Sequence, residues 1–183
     1  VQSETIKKDK NFAMALRSIE LKATCTNVQA ISEFLEKHGS YKGRDHQVDT
    51  YFQVPHGRLK LRQGTIENNL IAYHRPDVAA QKLSEVSLYQ PVDPEGLKQV
   101  LQQALPVLVI VDKYRHIYFI DNVKFHIDEV TGLGHFVEIE AIDENGTRSD
   151  AELERQCQYY QNKLGILPED LCSHSYSDML LNR

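Results

Sequence analysis

Charged residues recur at every second position in several apolar stretches of this 183-residue chain. In "RLKLR", Arg58, Lys60 and Arg62 alternate with Leu59 and Leu61, and in "VDKYR" Lys113 and Arg115 share a parity. Lys124, His126 and Asp128 alternate with Val123, Phe125 and Ile127, and Glu138 and Glu140 alternate with Val137 and Ile139. "IELK" sets Glu20 and Lys22 apart from Ile19 and Leu21, "VDTYF" sets Asp49 and Tyr51 apart from Val48 and Phe52, and Arg75 follows Ile71 and Tyr73. Strand side chains point alternately to opposite faces, so each stretch presents one charged and one apolar face.

A charged face is ordinarily the solvated side of an antiparallel sheet. Here the residue types argue for a site. The faces hold eight bases (Lys22, Arg58, Lys60, Arg62, Arg75, Lys113, Arg115, Lys124) against five acids (Glu20, Asp49, Asp128, Glu138, Glu140), while the whole chain carries −5. Two like charges about 6 Å apart repel by roughly 3 kcal/mol at an effective dielectric near 20, so such crowding calls for a compensating ligand. Arg offers bidentate forks and Lys a point charge, which suits a polyphosphate. The acids supply only oxygen, which suits a hard cation such as Mg²⁺ or Mn²⁺.

These faces need elements to hold them. Three helices have recognisable ends: 28–38 after Asn27, 94–105 after Asp93 with Pro94 at its first position, and 150–164 after Ser149 with Glu152 three residues on. The apolar stripe of the second is Leu97, Val100, Leu101 and Leu105. A short helix is expected around "YSDMLL". Strands are expected at 18–25, 47–54, 58–63, 70–75, 85–90, 107–116, 117–121, 123–128 and 136–141. The order strand, helix, run of strands occurs twice, which predicts two similar halves of one largely antiparallel sheet or barrel. Helices must cover the apolar faces, which leaves the charged faces to line the inside of a curled sheet. "RPDVAAQKLSE" lacks periodicity and is expected to be a mobile flap. His126, Cys25 and Tyr51 read as structural or packing residues.

The totals bound the rest. The length suits a single domain, residues 17–183, preceded by a disordered or expression-derived segment at 1–16. A net negative charge argues against nucleic acid or an acidic membrane as partner. Three cysteines without metal-type spacing predict a reducing compartment, and the absence of an apolar leader or a membrane-length apolar run predicts a cytoplasmic protein.

The ordered set "IELKA", "DTYF", "GRLKLR", "YHRPD", "VDKYR", "HIDEVTGLGHFVEIE" and "SYSDML" resembles the CYTH superfamily, the triphosphate tunnel metalloenzymes. The nearest likeness is to bacterial proteins of the class IV adenylate cyclase type. The resemblance implies an α+β fold, a single-domain closed or nearly closed eight-stranded antiparallel β-barrel with helices packed outside. It implies a metal-dependent enzyme using Mg²⁺ or Mn²⁺ on a triphosphate, converting ATP to cyclic AMP and pyrophosphate. The alternatives are a triphosphatase hydrolysing inorganic, thiamine or nucleoside triphosphate, and a non-catalytic phosphate- or nucleotide-binding module. A homodimer is implied by likeness to the cyclases. By position, Glu20 and Lys22 match the second acid and the base of the E-x-E-x-K signature. Arg58, Lys60, Arg62, Arg75, Lys113 and Arg115 match the phosphate-binding bases, with Lys124 beside them. Glu20, Asp128, Glu138 and Glu140 match metal-binding acids, and Glu20, Lys22, Glu138 and Glu140 the catalytic set. The first signature acid is Ser18 here, which keeps the binding-module reading open.

Overall fold

The computed structural model describes residues 14–74 and 82–183. Eight strands close into an antiparallel barrel: β1 (Met14–Thr24), β2 (Ser40–Phe52), β3 (Arg58–Gly64), β4 (Asn69–His74), β5 (Lys82–Tyr89), β6 (Val107–Ile120), β7 (Val123–Val130) and β8 (Gly134–Asp143). Around the barrel they run β1-β5-β4-β3-β2-β6-β7-β8, and β8 pairs back onto β1. Closure gives every strand two neighbours, although the first half of β2 and the start of β6 run past β3 and β7. Adding four to each strand number reproduces the same ring, so the chain folds as two interleaved strand–helix–three-strand units. That is the repeat legible in the layout of the sequence.

The expected strands 107–116 and 117–121 are one element, β6, because "YRHIYFI" contains no turn residue. β2 begins seven residues earlier than expected, since alternation is weak in "SYKGRDH" and pairing with β6 imposes the strand. β1 takes in Met14–Leu16, residues expected to belong to the leader. Residues 1–13, Arg75 and the segment 75–81 of the expected flap lie outside the described residues, and Lys82–Glu85 of that flap belong to β5.

The helices are α1 (Val28–His38), α2 (Pro94–Ala104), α3 (Asp150–Lys163) and α4 (Tyr176–Leu181). Asn27, Asp93, Ser149 and Ser175 each accept a hydrogen bond from the first-turn backbone, satisfying donors that no intrahelical carbonyl can reach. α1 and α3 pack outside the barrel, where Ile31, Leu35, Leu153 and Cys157 meet the outward faces of β1, β7 and β8 (Ile19, Leu21, Phe125, Ile127, Val137, Ile139). α2 departs from expectation: none of its residues is fully buried, and Val100 is exposed. Among the described residues its main strand contact is β3, and Leu97, Leu101 and Leu105 are half-buried. α4 lies on the other side of the sheet. Tyr176, Met179 and Leu180 pack with Tyr51, Val111, Val130 and Phe136, which face into the barrel.

Candidate functional site

Register carries the charged parity around the barrel. Glu20 stands opposite Glu140 and Lys22 opposite Glu138 across β1 and β8. Lys124 and His126 stand opposite the same two glutamates across β7 and β8, and Arg115 opposite Asp128 across β6 and β7. Asp49 faces Arg62, and Tyr51 faces Lys60, across β2 and β3. Directly opposite residues share one face of a sheet, so these side chains form a continuous inner lining. Glu20, Lys22, Lys60, Arg62, Lys113, Arg115, Lys124, Glu138 and Glu140 all line one cavity, the barrel lumen.

Two carboxylate hubs hold the bases. Asp49, 1% exposed, accepts from Lys60 Nζ at 3.0 Å, Lys113 Nζ at 2.9 Å, and Arg62 Nε and Nη2 at 2.8 Å each. Burial pushes its carboxyl up, but Arg62, Lys113 and Lys60 together hold it well below the usual carboxylate range. The second hub is Asp128 with Glu138. Asp128 receives both ends of the Arg115 fork and the Tyr176 hydroxyl, and it is fully buried. Glu138 accepts from Arg115 Nη2 at 2.7 Å and pairs with Lys22 Nζ at 2.9 Å, while His126 Nδ1 lies 3.0 Å away. Burial, with Arg115 and Lys124 nearby, pulls His126 down to about 3, so it is neutral at neutral pH and its Nδ1–H donates to Glu138. Burial also draws the Lys113 ammonium down to about 7, against the pull of Asp49 and helped by Arg62, Arg115 and Lys60.

A third acid, Glu67, enters from the loop between β3 and β4. Its carboxylate takes Lys124 Nζ at 2.8 Å and Arg62 Nη1 at 3.4 Å. Asp45 builds this loop, accepting from Gln47 Nε2, Thr65 Oγ1, Ile66 N and Glu67 N at 2.8–3.0 Å. The loop runs so close to Asp45 that a Cβ on Gly64 would sit 2.7 Å from the Glu67 carbonyl and 2.8 Å from the Asp45 carboxylate. Only glycine fits there.

Glu20 and Glu140 are arranged differently from the hubs. They face each other across adjacent strands, and Ser18 Oγ donates to Glu140 Oε1 at 3.1 Å. Burial, reinforced by the charges of Glu20 and Glu138, raises the Glu140 carboxyl above its usual range despite Lys124 and Ser18. Among the described residues no three His, Cys, Asp or Glu side chains are grouped to hold a metal unaided. Two opposed carboxylates do fit Mg²⁺, which binds through one or two of them and completes its shell with water and phosphate oxygens.

The structure thus brings together every described residue singled out from the sequence, with two qualifications of place. Arg58 reaches α4, donating to Ser175 Oγ and to Asp178 Oδ2 at 2.8 Å. Asp128 stands behind Arg115, both its oxygens engaged, and does not line the cavity. Tyr51, read as a packing residue, packs and also lines the lumen, its hydroxyl accepting from Lys60 at 3.3 Å. Cys25 is a core residue. Among the described residues there is no positive excess: Lys22, Lys60, Arg62, Lys113, Arg115 and Lys124 stand against Glu20, Asp49, Glu67, Asp128, Glu138 and Glu140. Sequence reasoning missed Glu67 because a loop residue has no strand parity, although a carboxylate between two basic strands was a visible signal. It also missed Tyr176 in α4 and Ser175, the residue that caps that helix, which both line the cavity.

The CYTH domain family matches residues 16–176. Solved structures share the fold. The PH1012 protein from Pyrococcus horikoshii OT3 is 24% identical with a TM-score of 0.76, over 88% of this chain and 98% of that one. A candidate adenylate cyclase from Vibrio parahaemolyticus is 17% identical with a TM-score of 0.71, over 94% and 99%. A candidate adenylyl cyclase from Hippeastrum, described as having a dominant triphosphatase activity, is 15% identical with a TM-score of 0.61, over 91% and 94%. No curated protein matches the chain. With its closed barrel, its inward-facing acids and bases and a family match over most of its length, the chain belongs to the CYTH domain family.

Proposed function

We propose that the chain is a metal-dependent enzyme that binds a triphosphate in the barrel lumen and breaks one of its phosphorus–oxygen bonds. The observation that carries this reading is the Glu20–Glu140 pair, two opposed carboxylates set beside Lys124 in the same enclosed ring as Arg62, Lys113 and Arg115. Among the described residues the acids and bases of the lumen balance. A polyanion therefore enters favourably when those carboxylates are neutralised, which couples anion binding to a cation. Glu20 and Glu140 would hold a Mg²⁺ or Mn²⁺, which would supply Lewis-acid neutralisation of the charge that develops on a bound triphosphate.

The remaining roles belong to the chain. Arg62, Lys113 and Lys60, aimed by Asp49, bind phosphate oxygens, and Arg115 is aimed by Asp128 and Glu138. The pairs orient the bases in advance, so little ordering is left for the bound state. Lys22, paired with Glu138, lies 3.8 Å over the Tyr176 ring, a contact that keeps its ammonium at the lumen wall.

Attack by water on the terminal phosphorus releases phosphate, whereas attack by a ribose 3′-hydroxyl on the innermost one releases pyrophosphate and leaves cyclic AMP. The family neighbours described as candidate cyclases and as a triphosphatase support both nucleophiles. Incubation with ATP, inorganic triphosphate and thiamine triphosphate, with Mg²⁺ or Mn²⁺ and with EDTA, tests the reading by product analysis. Turnover that EDTA abolishes is expected. Turnover intact in EDTA refutes the metal, and tight binding without product makes the chain a binding module.

A further inference from the structure

Lys22 and Glu138, Arg62 and Asp49, and Arg115 and Asp128 are acids and bases set opposite each other by register, and each couple closes at 2.7–2.9 Å. Lys124 and Glu140 are opposed in the same way across β7 and β8, yet they stay apart. Directly opposite residues carry their Cβ atoms about 5 Å apart, so Glu140 is well within reach of a lysine side chain. The Lys124 ammonium goes instead to Glu67 Oε1 at 2.8 Å, and among the described residues it forms no ion pair with Glu140. Glu140 accepts from the neutral Ser18 hydroxyl at 3.1 Å.

Glu67 is held so as to win this competition. Asp45, fully buried, fixes the loop backbone through Ile66 N at 2.8 Å and Glu67 N at 3.0 Å. Arg62 Nη1 and Gln47 Nε2 both donate to Glu67 Oε2, each at 3.4 Å, which leaves Oε1 turned toward Lys124. A loop carboxylate thereby takes the ammonium that strand pairing would deliver to Glu140. An ammonium seated on Glu140 would cancel its charge and repel an incoming divalent cation. Resting on the metal-dependent reading above, we propose that Glu67 is a positioning residue for the cation site: by holding Lys124 it keeps Glu140 open to a divalent cation. Glu67 acts through Lys124, and Lys124 remains in the lumen wall as a base for anions. One loop residue thus stops a neighbouring acid and base from being spent on each other.

Titration with Mn²⁺ alone, read by electron paramagnetic resonance as loss of the sharp signal of the free ion, tests the proposal in the native chain, Glu67→Gln, Lys124→Met and the double variant. Phosphates are left out, so that the positive charge gained in Glu67→Gln draws in no anion carrying metal with it. Glu67→Gln keeps the shape of the side chain, and Glu67→Ala replaces it if that variant folds poorly. Mn²⁺ affinity should fall roughly tenfold in Glu67→Gln, a middle value for coupled neighbouring side chains. In the Lys124→Met background the same substitution should change affinity less than about twofold, since no ammonium is left to occupy Glu140. Native affinity in Glu67→Gln overturns the proposal. An equal loss in both backgrounds also overturns it, because Glu67 then acts through its own charge alone. Failure of the native chain to bind Mn²⁺ at millimolar concentration overturns the cation reading itself, and this inference with it.

Discussion

Replacing Asp49 with Asn removes the carboxylate that Lys60 and the buried Arg62 and Lys113 share, while keeping nearly the same shape. Lys60, Lys113 and Arg62 all donate to it within 3.0 Å, and Lys113 is only 1% exposed. Removing one partner of a buried ion pair costs about 3–5 kcal/mol, because the other charge is stranded. Here Arg62 is stranded as a buried cation beside Lys60, and Lys113 loses the carboxylate that favours its charged form. In a domain of this size each kcal/mol moves the melting temperature by about 2–4 °C, so a loss of roughly 6–20 °C is expected. The sign with pH follows from Asp49's lowered carboxyl. Its stabilisation is fully present above the ordinary Asp value and is lost as pH falls through the depressed folded value, so the native and variant melting curves should converge in acid. Inorganic triphosphate with Mg²⁺ should partly rescue the variant, since a polyanion supplies the missing counter-charge. At about 100 times its dissociation constant a ligand contributes roughly 2.7 kcal/mol, and that shift should come at lower ligand concentration in the variant. Differential scanning fluorimetry across pH and ligand concentration reads all of this. A destabilisation under about 1 kcal/mol, or identical ligand titrations for both proteins, would refute the idea that Asp49 balances the charge of these bases in the ligand-free lumen.

Lys113, drawn down to about 7, should lose its proton above that pH, so triphosphate affinity should fall as pH rises and binding near pH 8 should take up protons; calorimetry in two buffers of different ionisation enthalpy measures this, and a flat profile from pH 6.5 to 9 would contradict it. In Glu67→Gln the Lys124–Arg62 side of the lumen gains one positive charge, worth roughly 3 kcal/mol to an anion about 6 Å away, so triphosphate should bind up to about 100-fold tighter; weaker binding would mean that Glu67 orients those bases instead. Ser18→Glu adds a third carboxylate beside Glu20 and Glu140 at a buried position, and should lower the melting temperature in EDTA and restore it with Mg²⁺. Equal melting temperatures with and without Mg²⁺ would count against a cation there. Glu140→Ala should depress turnover sharply, and product formation at the native rate would remove Glu140 from the metal site.

The sequence alone determined what local chemistry determines. Alternation in "RLKLR", "VKFHID" and "FVEIE" fixed which side chains share a face, because a strand's side-chain period is two whatever its neighbours. Asn27, Asp93 and Ser149 marked helix starts, because caps act within a turn. Only the tertiary structure decided how those faces meet. Register set Glu20 against Glu140 and Lys22 against Glu138, over a hundred residues apart, and no local rule specifies such pairings. The same long-range pairing made β2 a strand from Ser40 and joined the two halves into one ring. Charge balance was also tertiary. Glu67 has no periodicity to announce it, and it reaches Lys124 and Arg62 only because Asp45 and Gly64 fold its loop inward. α4 was legible as a helix, yet its place against the inward-facing residues, with Tyr176 bonded to Asp128, depends on apolar partners drawn from β2, β6, β7 and β8.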